Sequence, residues 1–381
     1  MRVFFNARHD AHDVKSEFYH GQTISALDDP RRMGIIRDAL AHKIAARLVD
    51  PVDHGMAAIR AVHDARYLAF LTHAWQEWVA AGFDGAAVPG AWRATTSYAD
   101  DTKLYQGDKS SGITRPAATP APATVTATTA TTDPAHDHSH ILKKLGQYAY
   151  ATDTPIGDGS WQAAYWGAQT AISAANAVMK DGEASFCLGR PPGHHAHRAR
   201  YGGYCLLNNA AIAAQHMRAL GAERVAILDI DQDHGDGTQD IFYQRGDVLT
   251  VSIHAEPDHH FPFFTGYASE TGAGDGAGTN MNIPLAANAG FAGFSAALDQ
   301  AHQKITGFDA DMLVVSLGVN AHEVEPLGTL GLATPDYSAI GQQIGSLGLR
   351  TLFVMEGGYA HDVIGQNVAA VLAGYLGTIG G

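Results

Sequence analysis

Short, nearly continuous apolar runs recur along the chain, and each ends in polar residues: "VAILDID", "VLTVSIH", "MLVVSLGVN" and "TLFVMEGGY". Between them lie stretches with helical spacing of apolar positions, such as "NNAAIAAQHMRAL" and "SAALDQAHQKI". Unbroken apolar runs separated by helices predict a parallel sheet covered on both faces, because a strand buried on both sides has no polar alternation. The opening "MRVFF" predicts a first strand. In such sheets ligands bind outside the carboxyl ends of the strands. The polar residues that end each run are therefore where chemistry is expected.

One segment breaks this pattern. Residues 110–140, "SSGITRPAATPAPATVTATTATTDPAHDHSH", have no apolar periodicity and predict a long surface loop within a single domain spanning residues 1–381. Asp137, His138 and His140 at its end read as a solvated cluster rather than a metal site. "GAGDGAG" at 272–278 joins no strand to a helix, so it is not a dinucleotide loop. A hydrophobic fraction of 46% over 381 residues allows an ample core. The formal net charge of -14 argues against nucleic acid as a partner and mildly favours cationic ligands. Cys187 and Cys205 are too few for a disulfide framework. No signal peptide and no membrane-spanning run are found, so a cytoplasmic location is expected.

The chemistry concentrates in a few places. "DIDQDHGDGTQ" at 229–239 places Asp229, Asp231 and Asp233 in alternation, on one side if the chain stays extended. Three carboxylates brought together need a cation or shared protons. "RPPGHHAHRARYGGYC" sets His194 beside His195 after a rigid turn, and "EGGY" presents Tyr359 after a glycine pair that lets backbone approach a ligand. "SLGVNAHE" adds a polar strand end at Asn320.

Taken in one order, "RPPGHHA", "GGYC-LNNAAIAAQ", "GTQDIFYQRGDV", "VVSLGV" and "MEGGY" resemble the histone-deacetylase-like amidohydrolases of the arginase/deacetylase superfamily. "VKSEFYHG" and "TPIGDGSWQAAY" favour its acetylpolyamine-type branch. The resemblance implies an α/β fold of three αβα layers around one mostly parallel sheet of about eight strands. It implies hydrolysis of an acylated amine by a zinc ion that polarises the acyl carbonyl and activates water. His194 matches the general base, His195 its neighbour, and Tyr359 the oxyanion donor, with Asp229 and Asp236 orienting the histidines. Gly203 and Tyr204, with Phe263 or Phe264 opposite, match the walls of the substrate tunnel. Asp229, Asp231, Asp233, Ser252 and Ile253 match a structural site for potassium or sodium. Glu17 and Asp153 match acidic residues at the tunnel mouth, while Leu142, followed by Lys143 and Lys144, stands where a third would be. That implies a substrate shorter or less cationic than a long polyamine. The branch also implies a homodimer.

The metal position departs from the family. Its zinc ligands are Asp, His and Asp, and the matching residues here are Asp231, Asp233 and Asn320. The formal ligand charge is unchanged, but the imidazole is gone and an amide has replaced a carboxylate. An all-oxygen set suits magnesium, manganese or calcium better than zinc, which is expected to bind weakly or not at all. Neither His234, whose neighbour Asp233 would face the other way, nor His322 is a new ligand. Three readings stay open: a hydrolase with an altered metal site, a silent relative that binds a ligand in the tunnel, and a metal-independent reaction run by the histidine pair and Tyr359.

Overall fold

The apolar runs become strands of one sheet, in a computed structural model that describes residues 1–92 and 140–379. In chain order the strands are β1 (Arg2–Phe5), β2 (Ser16–Tyr19), β3 (Gln22–Ser25), β4 (Arg47–Val49), β5 (Ser185–Leu188), β6 (Val225–Asp229), β7 (Val248–Ala255), β8 (Asn280–Leu285), β9 (Met312–Leu317) and β10 (Arg350–Met355). Eight of them form a sheet in the order β4-β1-β5-β10-β9-β6-β7-β8, with every neighbouring pair parallel. β2 and β3 form a separate antiparallel pair. This is the expected three-layer α/β architecture.

Both faces of the sheet are buried, which explains why the runs show no alternation. Val225 and Ile227 of β6 join one core, and Ala226 and Leu228 join the other. Met312 and Val314 of β9 divide from Leu313 and Val315 in the same way. Helices Ala65–Ala80, Ser160–Asp181 and Asn209–Ala219 cover the first face. Helices Arg31–Lys43, Gly290–Phe308, Thr334–Gly345 and Ile364–Ile379 cover the second. Among the described residues no helix is long and apolar enough to cross a membrane.

The strand order positions the site. β5, β10, β9 and β6 are successive neighbours in the sheet, so the segments leaving their carboxyl ends converge. Those segments carry His194 and His195, Tyr359, Asn320, and Asp231 with Asp233. The loop at 110–139, with Asp137 and His138, lies outside the described residues. His140 caps helix Ile141–Tyr148, accepting from Leu142 N at 3.2 Å.

Candidate active site

The two histidines are held from behind by carboxylates. His194 Nδ1 lies 2.9 Å from Asp229 Oδ2, and His195 Nδ1 lies 2.7 Å from Asp236 Oδ1. The imidazole centroids are 3.9 Å apart. Their backbone is fixed as well: Gly193 N and His194 N donate to Glu356 Oε2 at 2.6 and 3.1 Å. Asn208 caps helix Asn209–Ala219 through Ala211 N at 2.9 Å, and its own amide donates to Ala196 O at 3.1 Å. One capping residue thus ties the histidine loop to a core helix.

Charge follows this geometry. Burial disfavours a charged His194, yet Asp229 and Asp231 outweigh it and hold the ring well above the ordinary imidazole range. His197, the second partner of Asp236 at 2.9 Å, is likewise disfavoured by burial but raised to about 9, chiefly by Asp236 and Asp240. Burial pushes the Tyr359 phenol well up, so it stays protonated and able to donate. Arg32 lies 4.7 Å from the Tyr359 ring centre and donates to Gly358 O at 2.5 Å. Glu325 accepts from Tyr359 N at 2.8 and 3.0 Å and from Ala360 N at 3.1 Å. The tyrosine's backbone is therefore gripped from two sides.

A cavity of about 390 Å³ opens onto these groups, with His195, Tyr359, Gly203, Tyr204, Asp153 and Asp233 in its wall. Gly203, at φ +55°, has no room for a side chain because a Cβ would run into the His195 ring. Phe261, Phe263, His259 and His260 complete one flank. Phe261, which sequence reasoning missed, meets the His195 ring edge-on at 4.9 Å between centres. Phe264 is 88% exposed and is not among the residues lining the cavity. Of the two expected phenylalanines Phe263 lines the cavity and Phe264 does not, and Phe261 stands beside it.

The expected mouth also differs. Glu17 is buried and accepts from the Tyr204 hydroxyl at 2.7 Å, behind the cavity wall rather than at its entrance. Asp153 does line the cavity, accepting from Gly203 N at 2.8 Å. Lys144 is buried and neutralised by Glu77 at 2.8 and 2.9 Å. Its charge therefore gives no reason to expect a less cationic substrate.

The metal position is occupied by hydrogen bonds. β6 ends at Asp229, so Asp231 and Asp233 sit in a turn rather than in an extended alternation. Asp231 N donates to Asp229 Oδ1 at 3.1 Å, and Asp233 N to Asp231 Oδ1 at 2.9 Å. Asn320 Nδ2 then donates to Asp231 Oδ1 at 2.7 Å and to Asp233 Oδ2 at 3.1 Å. Its carbonyl Oδ1 accepts from Gln232 N at 2.9 Å, which settles which way the amide faces. Gly357 N donates to Asp231 Oδ2 at 2.8 Å, and a Cβ at Gly357 would lie 2.6 Å from that oxygen. His260 Nε2 stands 2.8 Å from Asp233 Oδ1. Burial raises Asp231, whereas at Asp233 the bond and charge of His260 outweigh burial and hold the carboxylate down.

Zinc does not fit this donor set. Of the three side chains at the family's ligand positions, two offer carboxylates and the third turns its nitrogen inward. Reversing the Asn320 amide would leave the buried Gln232 N–H facing a donor, a penalty of about 1–3 kcal/mol before any ligand is gained. Neither His234 nor His322 compensates, and the Nε2 of His260 is already paired with Asp233 Oδ1. His234 Nδ1 pairs with Thr265 Oγ1 at 3.0 Å, and His322 accepts from Val324 N at 3.2 Å. Ligand atoms of His194, Cys205 and Glu356 do lie within 4.8 Å of one another. Yet these groups are already engaged: Cys205 Sγ donates to Gly203 O at 3.2 Å, and Glu356 Oε2 accepts from Gly193 N and His194 N. Ser252 is paired with Asp229 in the sheet register, and Ile253 follows it, beside the turn that carries Asp231 and Asp233.

The histone deacetylase domain pattern matches residues 26–375. The chain belongs to that family. It is 40% identical over 377 residues to acetylpolyamine amidohydrolase 1 of Pseudomonas aeruginosa, covering 99% of each chain. It is 39% identical to the acetylpolyamine amidohydrolase of Mycoplana ramosa over 99% of this chain and 100% of that one. The crystal structure of an acetylpolyamine aminohydrolase from Burkholderia pseudomallei superposes with a TM-score of 0.86 at 32% identity, covering 99% of both chains. The arginase/deacetylase fold and the family resemblance read from the motifs are thereby established.

Proposed function

We propose that the protein is an amidohydrolase that cleaves a small acylated amine within the cavity, using its histidine pair and Tyr359. The observation that carries this reading is the pair of carboxylate-backed imidazoles beneath a cavity whose wall includes a protonated tyrosine. The four acetylpolyamine relatives bear names that point to the same substrate class.

His195 is the imidazole in the cavity wall, with His194 behind it, so geometry favours His195 as the group that takes the proton of the attacking water. This reverses the roles carried over from the family motif. As the water oxygen bonds to the acyl carbon, Tyr359 donates to the developing oxyanion. The proton then passes to the amine nitrogen, the C–N bond breaks, and a carboxylic acid and an amine leave. His194, held between Asp229 and Asp231, adds fixed positive charge beneath the oxyanion. Without a metal to polarise the carbonyl, slow turnover is expected.

The test is hydrolysis of acetylated diamines by chelator-treated protein, alone and with Tyr359→Phe. Turnover that survives chelation and falls with the variant supports the reading. Turnover that is absent under every metal condition rejects it. Asn320's amide favours one rival, a ligand-binding relative without turnover. That rival predicts saturable binding of the acylated amine by a protein that never cleaves it.

A further inference from the structure

We propose that the Asn320 carboxamide is a built-in replacement for the family's metal, a clamp that organises the cavity floor and shuts zinc out. A metal in this place would have two effects: balancing the carboxylates and joining the loops that carry them. Asn320 joins the same loops with one amide, and satisfies the carboxylates by hydrogen bonds rather than by charge. Its two N–H bonds point to Asp231 Oδ1 and Asp233 Oδ2, so the donor lies between the two carboxylates that a cation would have to share.

The amide is held in this orientation by a residue that is itself pinned. Gln232 N donates to Asn320 Oδ1. The Gln232 side chain is fully buried, with Oε1 accepting from Thr329 N at 2.6 Å and Leu330 N at 3.1 Å. Its Nε2 donates to Leu327 O at 2.9 Å. The turn therefore cannot swing away to let Asn320 reverse without losing bonds to the 327–330 segment as well. An aspartate at 320 would satisfy the same Gln232 N–H with one oxygen and keep the other for a metal. An asparagine has only nitrogen left to offer.

The outward oxygens are engaged too. Asp231 Oδ2 accepts from Gly357 N, and Asp233 Oδ1 meets His260 Nε2. Through Asp231 the clamp reaches the segment that carries Tyr359, so the ends of β6, β9 and β10 are joined without an ion. The metal-free protein is then the fully organised state.

The experiment measures metal content and thermal unfolding of the full chain after chelation, then after incubation with zinc and dialysis. Zinc retained by Asp231→Ala is bound elsewhere and is subtracted. The clamp predicts no specific zinc on the wild type and an unfolding midpoint that neither chelator nor zinc moves. Asn320→Asp, which removes both amide donors, should unfold earlier and recover when a divalent ion is added. Asp233→His with Asn320→Asp should retain one zinc per chain. One specific zinc on the wild type would overturn the proposal, as would a midpoint that falls on chelation. These readouts do not involve turnover. A protein without zinc and without activity sinks the hydrolase reading and leaves the clamp standing, and a zinc-loaded active protein does the reverse.

Discussion

The histidine pair and the cavity floor stand on neighbouring strand ends, yet they satisfy their buried charges differently. Each catalytic-position imidazole has a carboxylate behind it, Asp229 or Asp236, and an arrangement of that kind can move a proton. At the floor, Asp231 and Asp233 are bridged by an uncharged amide that can neither move a proton at neutral pH nor polarise a carbonyl. Both solutions bury carboxylates without leaving them bare, as the low dielectric demands. Under the reading proposed above, the difference teaches that the proton-handling half of a site can persist when its electrophilic half is rebuilt for structure.

The sharpest way to break this comparison is on the histidine side. His195→Ala should lower kcat by about 10²–10⁴-fold with a smaller change in KM, because it removes proton transfer and leaves most of the cavity wall. An equal loss from Ala substitution at an exposed residue such as Phe264 would contradict the assignment. On the floor, Asn320→Asp should lower unfolding free energy in urea by about 3–5 kcal/mol in chelator, since the added buried carboxylate then faces Asp231 and Asp233 without a counter-charge of its own. An unchanged midpoint would show that the bridge contributes nothing.

Much of this was legible beforehand, for a physical reason. Runs such as "VAILD" read as strands because both faces are buried, and their polar ends pointed to the site because parallel sheets gather loops there. What residues 229–239 do after β6 ends was not legible. The expectation of aligned carboxylates assumed extended backbone, and the chain bends over residues 231–233. An amide's orientation depends on a partner that is distant in sequence, here the N–H of Gln232, 88 residues from Asn320. Phe261 and Phe264 are chemically identical, and only the tertiary path of their loop sends one inward.

Two smaller effects refine the comparison. Burial raises the Glu17 carboxyl to about 7 from 4.5, with the Tyr204 hydroxyl bond opposing. A raised acid binds its proton more tightly when folded, so its stabilisation is complete below pH 4.5 and is lost as pH rises through about 7. That contribution reaches up to about 3 kcal/mol. Glu17→Gln should flatten the stability profile across this window, and an unchanged slope would place the titration elsewhere. Glu325→Ala leaves Tyr359 N and Ala360 N without their acceptor. It should cost about 1–3 kcal/mol in stability and lower kcat more than it raises KM. A pure KM effect would detach Glu325 from the tyrosine.

The central claim is tested most directly by calorimetric titration of zinc into chelator-treated protein, wild type beside the Asp233→His/Asn320→Asp variant. The account predicts no saturable site on the wild type beyond that left by Asp231→Ala, and one site on the variant at least about a thousandfold tighter. A single tight zinc site on the wild type, abolished by Asp231→Ala, would contradict it.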